Sequence, residues 1–556
     1  MNDFPEIRRR TNLAALVAAA IVILFCLFAQ LRALGLVGPD EPRYAWIARA
    51  MAETGDWVTP RLYGQPWFEK PVLYYWAAAI GFLMHLPAEW ATRLPSVFAA
   101  LAAALAIGWL GWKHYGGAPN LERSPALLAP LMFSTSVAAI GFARAATPDM
   151  LFAASLTLAM ACASGILRRA GVLRGAANLT ASESTGSTGG LALFGACLGL
   201  AVLAKGPAAL ILAGGAIGLW ALATSQWRAA LRLAHPAAIG AFCIVALPWY
   251  ILCAVRNPEF LRVFIFQHNF ERYLTPMFQH KQPFWFFGPI TLLAVVPWVP
   301  LLIAVAQEGL RLWREKSWTN SPGFFFACWA IFPIVFFSFS QSKLPGYILP
   351  AIPPLALLLS VSAPRAFQKS RAAAISVPVG IGLVWLALAV YFFLAARSIP
   401  MMELGRFVPL LLGEALIAFA VLLTLVLAIA GIGRNLSIVA AICSLCVVAT
   451  LAVANIAVLP TLDAFVSARP QAALLQNDLR PDRVFTYELS RASQYGLAFY
   501  LHREIPEWSP DDPGAALVLT SAKGFNEIMT SGRFRGDFNL NYGIIRLVPV
   551  EARPRQ

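Results

Sequence analysis

The sequence predicts a polytopic α-helical membrane protein with a small soluble α/β domain at its C-terminal end. Three observations carry that prediction. Of 556 residues, 59% are hydrophobic and 13% charged, where a soluble domain carries about 25% charged residues. Mean hydropathy is +0.66, and apolar runs near or somewhat below the ~20 residues that cross a bilayer recur along residues 1–459. From residue 460 the apolar runs shorten to strand length and are separated by polar turns.

Thirteen segments read as candidate spans: 12–34, 91–112, 124–142, 147–168, 190–204, 207–224, 236–255, 284–306, 322–340, 345–362, 372–396, 407–431 and 436–459. The first follows an RRR cluster, is long for a signal peptide and lacks an A-x-A site, so it reads as a retained helix with its basic flank inside. Basic loops belong on the inner side. With thirteen spans and the N-terminus inside, the loops at 166–175, 225–235, 311–316, 363–371 and 433–435 all fall inside, and residues 460–556 fall outside. This agreement supports the count. It requires that KPVLYYWAAAIGFLMHL (70–86) not cross. Its Tyr and Trp content reads as a juxtamembrane helix lying at the outer interface. The loop 178–189, rich in Gly, Ser and Thr, reads as a flexible inner linker.

In the tail, DRVFTYEL, GLAFYLH, AALVLTS and YGIIRLVPV read as strands, and RPQAALLQND and AKGFNEIMTSG as helices. All eight cysteines fall inside apolar runs and none in the tail, so a disulfide framework is not expected. Cys443 and Cys446, inside an apolar helix, make a poor zinc site.

Much of the net charge of +15 sets orientation, and part of it suits an anionic lipid or phosphate. On the thirteen-span map, charges that are not inner anchors collect at outer span ends. Asp40, Glu41 and Arg43 follow the first span, Glu69 and Lys70 share the outer loop 35–90, and Arg93 opens the second span. Arg144 and Asp149 lie in GFARAATPDM, and Lys205 in AVLAKGPAAL. His268, Arg272 and Lys281 lie in the outer loop 256–283, and Lys343 and Tyr347 in SQSKLPGYILP. Singly, each has an ordinary explanation: a helix cap, a snorkelling lysine, an interfacial aromatic or a structural histidine. Six outer connections that each bring ionisable groups point instead to one polar pocket. Lysines and arginines beside carboxylates suit a phosphate substrate and a carboxylate that positions or deprotonates an acceptor.

Two stretches, GPDEPRYAWIARAMAETGDWVTPRLYGQPWFEKPVLYYW and FSFSQSKLPGYILPAIPPLALLL, resemble the GT-C type glycosyltransferases that use polyprenyl-phosphate sugars. The layout as a whole is most similar to the lipid A aminoarabinose transferase family, and is similar also to the protein O-mannosyltransferases. The specific motifs lie at about 38–76, 141–150, 203–207 and 338–350. The resemblance implies a GT-C membrane domain over 1–459 and a periplasmic α/β domain over 460–556. It implies a donor of undecaprenyl-phosphate-linked aminoarabinose, a lipid A phosphate as acceptor, and work at the outer face of the bacterial inner membrane by a monomer. No nucleic acid or nucleotide cofactor is expected; the chain shows no Rossmann-type glycine fingerprint.

Carried over position by position, the resemblance makes Asp40 the essential acidic residue and Asp149 the second acidic position. Glu69 assists them, Arg43, Lys70, Lys205, Lys343 and Tyr347 contact phosphate, and Glu69 with His268 could hold an organising zinc ion. The rival reading is a lipid transporter or flippase, also rich in spans and broken helices. The absence of an internal repeat, the outer position of the charges and the soluble tail favour an enzyme.

Overall fold

The computed structural model describes residues 4–116, 124–174, 188–271, 273, 281–398, 407–478, 484–511, 514–532, 540–542 and 545–550. Among them, eight helices are long and apolar enough to cross a membrane: Ala88–Tyr115, Asp149–Arg169, Thr188–Lys205, Pro236–Arg256, Pro345–Lys369, Arg371–Tyr391, Gly413–Ile432 and Leu436–Val466. Two more predicted spans are helix pairs, and the other three correspond to the shorter apolar helices Leu13–Phe28, Ala208–Thr224 and Pro322–Ser338. Peripheral helices turn large apolar side chains outward; Leu222, Ile244 and Val255 are each more than three-quarters exposed. Apolar surface on this scale needs a lipid environment, and the chain is a multi-pass membrane protein.

The predicted spans 124–142 and 284–306 are not straight. The first is Pro125–Ser134 and Val137–Ala143, bent by 62°, and the second Phe284–Ala294 and Val299–Arg314, bent by 112°. Hydroxyls cause the first bend. Thr135 and Ser136 donate back to the carbonyls of Leu131 and Phe133, each at 2.7 Å, and Ser136 Oγ then caps the next helix by accepting from the Ala139 amide. Prolines at 297 and 300 withhold amide protons at the second. The two breaks satisfy each other: the Val137 amide donates to the Val296 carbonyl at 3.0 Å, and Trp298 Nε1 donates to Thr135 Oγ1 at 3.0 Å. Broken backbone is tolerated inside a membrane only where such partners exist.

Segment 70–86 contains one helix, Leu73–Leu83, of 11 residues. At 1.5 Å per residue it reaches roughly 16 Å, too short to cross. It is more enclosed than a helix lying on the surface: Tyr74, Tyr75, Ala78 and Ala79 are fully buried against the helices Asp40–Thr54 and Ala88–Tyr115. In the segment 256–283, Arg262–Glu271 forms a π-helix that sends Phe264 into the core. Arg272 and residues 274–280 of that loop, and 178–187 of the inner linker, lie outside the described residues.

The tail forms a four-stranded sheet from β3 (Val484–Tyr487), β4 (Ala516–Thr520), β5 (Leu540–Tyr542) and β6 (Ile545–Val550), while β1 (Arg61–Leu62) and β2 (Gln65–Pro66) make a small hairpin in the first loop. The order is β3-β4-β6-β5, with β3 and β4 parallel and the other pairs antiparallel. Both predicted tail helices are present, as Arg469–Asp478 and Ala522–Thr530. The predicted strand GLAFYLH is instead the end of a helix, Arg491–Tyr500. Ser490 supplies its N-cap by accepting from the Ser493 amide, and Gly496 to Phe499 are buried consecutively, which mimics a buried strand in the sequence. The tail is clamped to the first loop. The Gly35 amide donates to Asp463 Oδ1 at 2.7 Å, the Leu36 amide to Tyr500 Oη at 2.8 Å, and Arg49 to the Phe499 carbonyl at 3.0 Å.

Candidate active site

Two helices sit deepest in the bundle. The spans Asp149–Arg169 and Pro345–Lys369 have 89% and 94% of their apolar windows buried, against 22% for Pro236–Arg256. Asp149 opens the first of these central helices, and Tyr347 lies in the opening 3-10 turn, Pro345–Ala351, of the second. Lys205 closes the helix Thr188–Lys205. Asp149 and Lys205 form a direct ion pair, and the ammonium lies over the rings of Tyr347 and Phe152, 5.1 and 5.7 Å from their centroids. Gly346 permits this approach. A Cβ there would stand 2.9 Å from the Phe142 ring and 3.1 Å from Asp149 Oδ1.

Lys205, Tyr347 and Phe152 border a cavity of about 390 Å3, and Asp149 stands behind Lys205. Its polar wall carries Glu69, Lys70, Lys205, His268 and Tyr347, and its apolar wall includes Phe152, Phe264, Phe336 and Phe337. Lys70 Nζ lies 3.4 Å from Glu69 Oε1, and Arg43 Nη2 lies 2.7 Å from Glu69 Oε2 and 2.5 Å from Asp40 Oδ1. The chain of charge therefore runs Asp40–Arg43–Glu69–Lys70 into the cavity. Asp40 begins the helix Asp40–Thr54, and half of its side chain (51%) remains accessible. Burial still raises its pKa above the ordinary carboxylate range; Arg43 pulls it back, and Glu69 pushes the same way as burial. Burial opposes the charge on Arg43, but Glu69 and its other neighbours more than offset that and hold the guanidinium firmly protonated.

Arg43 and Lys343 stand differently from their expected contact with substrate phosphate. Arg43 does not line the cavity; two carboxylates and the rings of Tyr44, Trp67 and Tyr495 surround it. Lys343 is buried behind the wall and donates to the carbonyls of Ser340 at 2.6 Å and Gln282 at 3.0 Å.

Other outer-end charges serve the fold. Glu41 accepts from the amides of Val37 and Ala146 and from Arg93, all within 2.8 Å, while Arg93 also donates to the carbonyls of Leu31, Leu34 and Gly35. Arg144 donates to the Ala29 carbonyl and to Asn455 Oδ1. Lys281 is exposed. The neighbours Asp40 and Glu41 thus stand differently: Asp40 does not line the cavity itself and stays half-accessible on Arg43, while Glu41 pins the loop to the bundle.

Sequence reasoning missed Tyr273, Phe264 and Ser340 on the cavity wall and Tyr495 from the tail. Tyr273 and Phe264 flank His268 in chain order, and that proximity was the available signal. Tyr495 had none, because it reaches Arg43 only through the docking of the tail.

Zinc ordinarily takes three or four protein ligands. Glu69 and His268 share the cavity wall, but among the described residues no three His, Cys, Asp or Glu side chains are grouped to hold a metal. Among the described residues the donor set is two, fewer than a zinc site takes.

The bundle and its cavity have the GT-C fold. Across 96% of this chain and 97% of the other, the structure superposes on crystalline ArnT from Cupriavidus metallidurans bound to undecaprenyl phosphate, with a TM-score of 0.74 and 22% identity. Residues 12–264 match the family described as dolichyl-phosphate-mannose-protein mannosyltransferase. In sequence the chain is similar to undecaprenyl phosphate-alpha-4-amino-4-deoxy-L-arabinose arabinosyl transferases. It is 33% identical to that of Edwardsiella ictaluri over 322 residues, 58% of this chain and 54% of the relative. It is 31% identical to that of Yersinia enterocolitica over 396 residues, 70% of this chain and 65% of the relative. The chain thus spans between half and two thirds of the length of these relatives.

Proposed function

We propose that this chain transfers 4-amino-4-deoxy-L-arabinose from undecaprenyl phosphate to a phosphate of lipid A, as a monomer at the periplasmic face of the bacterial inner membrane. One observation carries the reading: Lys70 and Lys205 meet in a cavity whose other wall is aromatic and apolar. Such a cavity suits a phosphate joined to a long hydrocarbon chain. The names of the relatives, and the lipid bound by the Cupriavidus protein, support the same donor.

In the proposed reaction an oxygen of the acceptor phosphate attacks the anomeric carbon. The bond from that carbon to the donor phosphate oxygen breaks, and the electron pair leaves with undecaprenyl phosphate. Attack opposite the leaving group inverts the anomeric centre. Lys205 and Lys70 stabilise the charge that grows on the departing phosphate in a site partly shielded from water. Asp149 holds Lys205 in place, and Glu69 does the same between Lys70 and Arg43. The acceptor is already ionised at neutral pH. Asp40 orients it and takes its remaining proton. Attaching a cationic sugar to lipid A lowers its attraction for cationic peptides such as polymyxin.

The test is mass spectrometry of lipid A from an aminoarabinose-deficient bacterium expressing the chain. A gain of one aminoarabinose per modified phosphate supports the proposal. No gain despite good expression refutes it, and turnover with a mannosyl donor and a protein hydroxyl would establish the alternative favoured by the family match over 12–264.

Asp40 must be ionised to accept a proton, so activity is present above its pKa and is lost as pH falls through it. Because burial raises that pKa, the acid limb of kcat/KM is expected above the ordinary carboxylate range. Arg43→Gln removes the cation that opposes the shift and should move the limb further up. A limb unmoved by this substitution would assign it to another group.

A further inference from the structure

A second cavity, of about 600 Å3, lies at the far end of the same helices. Tyr115, which closes the helix Ala88–Tyr115, lines it, as do Arg174 beyond the end of Asp149–Arg169 and the start of Pro322–Ser338. The catalytic cavity takes the opposite ends: Asp149 beside it, with Phe336 and Phe337 on its wall. A helix of 21 residues such as Asp149–Arg169 is roughly 31 Å long, so the two cavities open at opposite faces of the membrane.

The second cavity is basic. Arg174, Arg311, Lys316 and Arg365 line it with one carboxylate, Glu308. Glu308 is already engaged: Arg311 donates to both of its oxygens at 2.7 and 2.9 Å, and Arg365 pairs with it as well. Among the described residues neither Arg174 nor Lys316 has an ion-pair partner, and both are exposed. Hydroxyls and an amide from the loop 317–321 complete the polar wall.

The helix Leu302–Arg314, which supplies Glu308 and Arg311, follows the 112° bend, and the bend turns it away from the direction of the preceding segment. While Val305, Glu308 and Leu312 face the cavity, Ile303, Leu310 and Trp313 are 62%, 53% and 67% exposed. A helix that brings Glu308 and Arg311 to a basic cavity and turns Ile303, Leu310 and Trp313 outward is built to lie at a lipid interface.

We propose that this cavity binds the phosphate head group of an anionic phospholipid from the leaflet opposite the catalytic site, with the acyl chains lying along the apolar side of Leu302–Arg314. Basic pockets between membrane helices recognise such head groups. This site does not depend on the identity of the sugar transferred.

The test uses the full chain in nanodiscs of phosphatidylcholine with phosphatidylglycerol, counting the lipids retained after mild delipidation by native mass spectrometry. The intact protein should retain phosphatidylglycerol in preference to phosphatidylcholine. The double variant R174Q/K316Q, which leaves the Glu308 cluster whole, should weaken that retention by at least about tenfold, since each basic residue near an anionic lipid contributes on the order of fivefold in affinity. Transfer activity at the other face should persist. Equal retention of the two lipids by the unaltered chain overturns the proposal without reference to any variant. So does unchanged retention by R174Q/K316Q, and displacement of the lipid by inorganic phosphate would reassign the cavity to a free anion.

Discussion

Asp40→Asn is expected to lower transfer by about 10²- to 10⁴-fold, the usual contribution of a positioned acid–base group, while leaving the folded protein intact. The structural half of this expectation rests on exposure. Half of the Asp40 side chain is accessible, and it accepts from Arg43, which is also paired with Glu69 at 2.7 Å and so does not lose its only carboxylate. The neighbouring substitution Glu41→Gln should behave in the opposite way. The Glu41 carboxylate faces buried Arg93 and receives two backbone amides from different parts of the chain. Leaving a buried charge without its counter-ion costs about 3–5 kcal/mol, so this variant should lose thermal stability and folded yield. Thermal unfolding of both purified variants, with transfer assayed on lipid A, separates the two effects. A stable Asp40→Asn protein with near-normal turnover would remove Asp40 from the mechanism.

That contrast shows where the sequence stops being readable. Composition and the apolar runs were enough for a multi-pass bundle, because lipid imposes length and polarity on every span. The placement of Glu69, Lys70, Lys205, His268 and Tyr347 around one cavity was also legible, since charges at membrane depth need a shared polar space. Nothing in DEPR, however, distinguishes the half-accessible carboxylate from the buried one that holds the loop; the difference comes from Arg93 and Ala146, distant in sequence. Lys343 looked like Lys205, a lysine beside a turn, yet two backbone carbonyls hold it behind the wall. The bends at 135–136 and 295–300 were obscured by apolar composition, because two broken helices that satisfy each other's backbone need no polar run to announce them. In the tail, burial of four consecutive residues in Arg491–Tyr500 removed the periodicity that tells helix from strand.

Lys205→Met should produce the second large loss, and here charge and stability can be separated. The substitution keeps a long flexible side chain but removes the cation proposed to face the donor phosphate. Losing one such electrostatic donor costs about 10²- to 10³-fold in kcat. It also strands Asp149, whose side chain is enclosed and loses its direct ion-pair partner, so the single variant should be less stable as well as slow. Asp149→Asn in the same protein removes the stranded charge. The double variant K205M/D149N is therefore expected to regain much of the lost thermal stability, because replacing both members of a buried pair costs far less than breaking it, while transfer stays low because the phosphate has Lys70 but still lacks the Lys205 ammonium. A structural ion pair with no part in catalysis predicts the reverse, with activity returning alongside stability. Comparing melting temperature and kcat across the wild type, both single variants and the double variant decides between them, and recovery of turnover in K205M/D149N would remove Lys205 from leaving-group stabilisation.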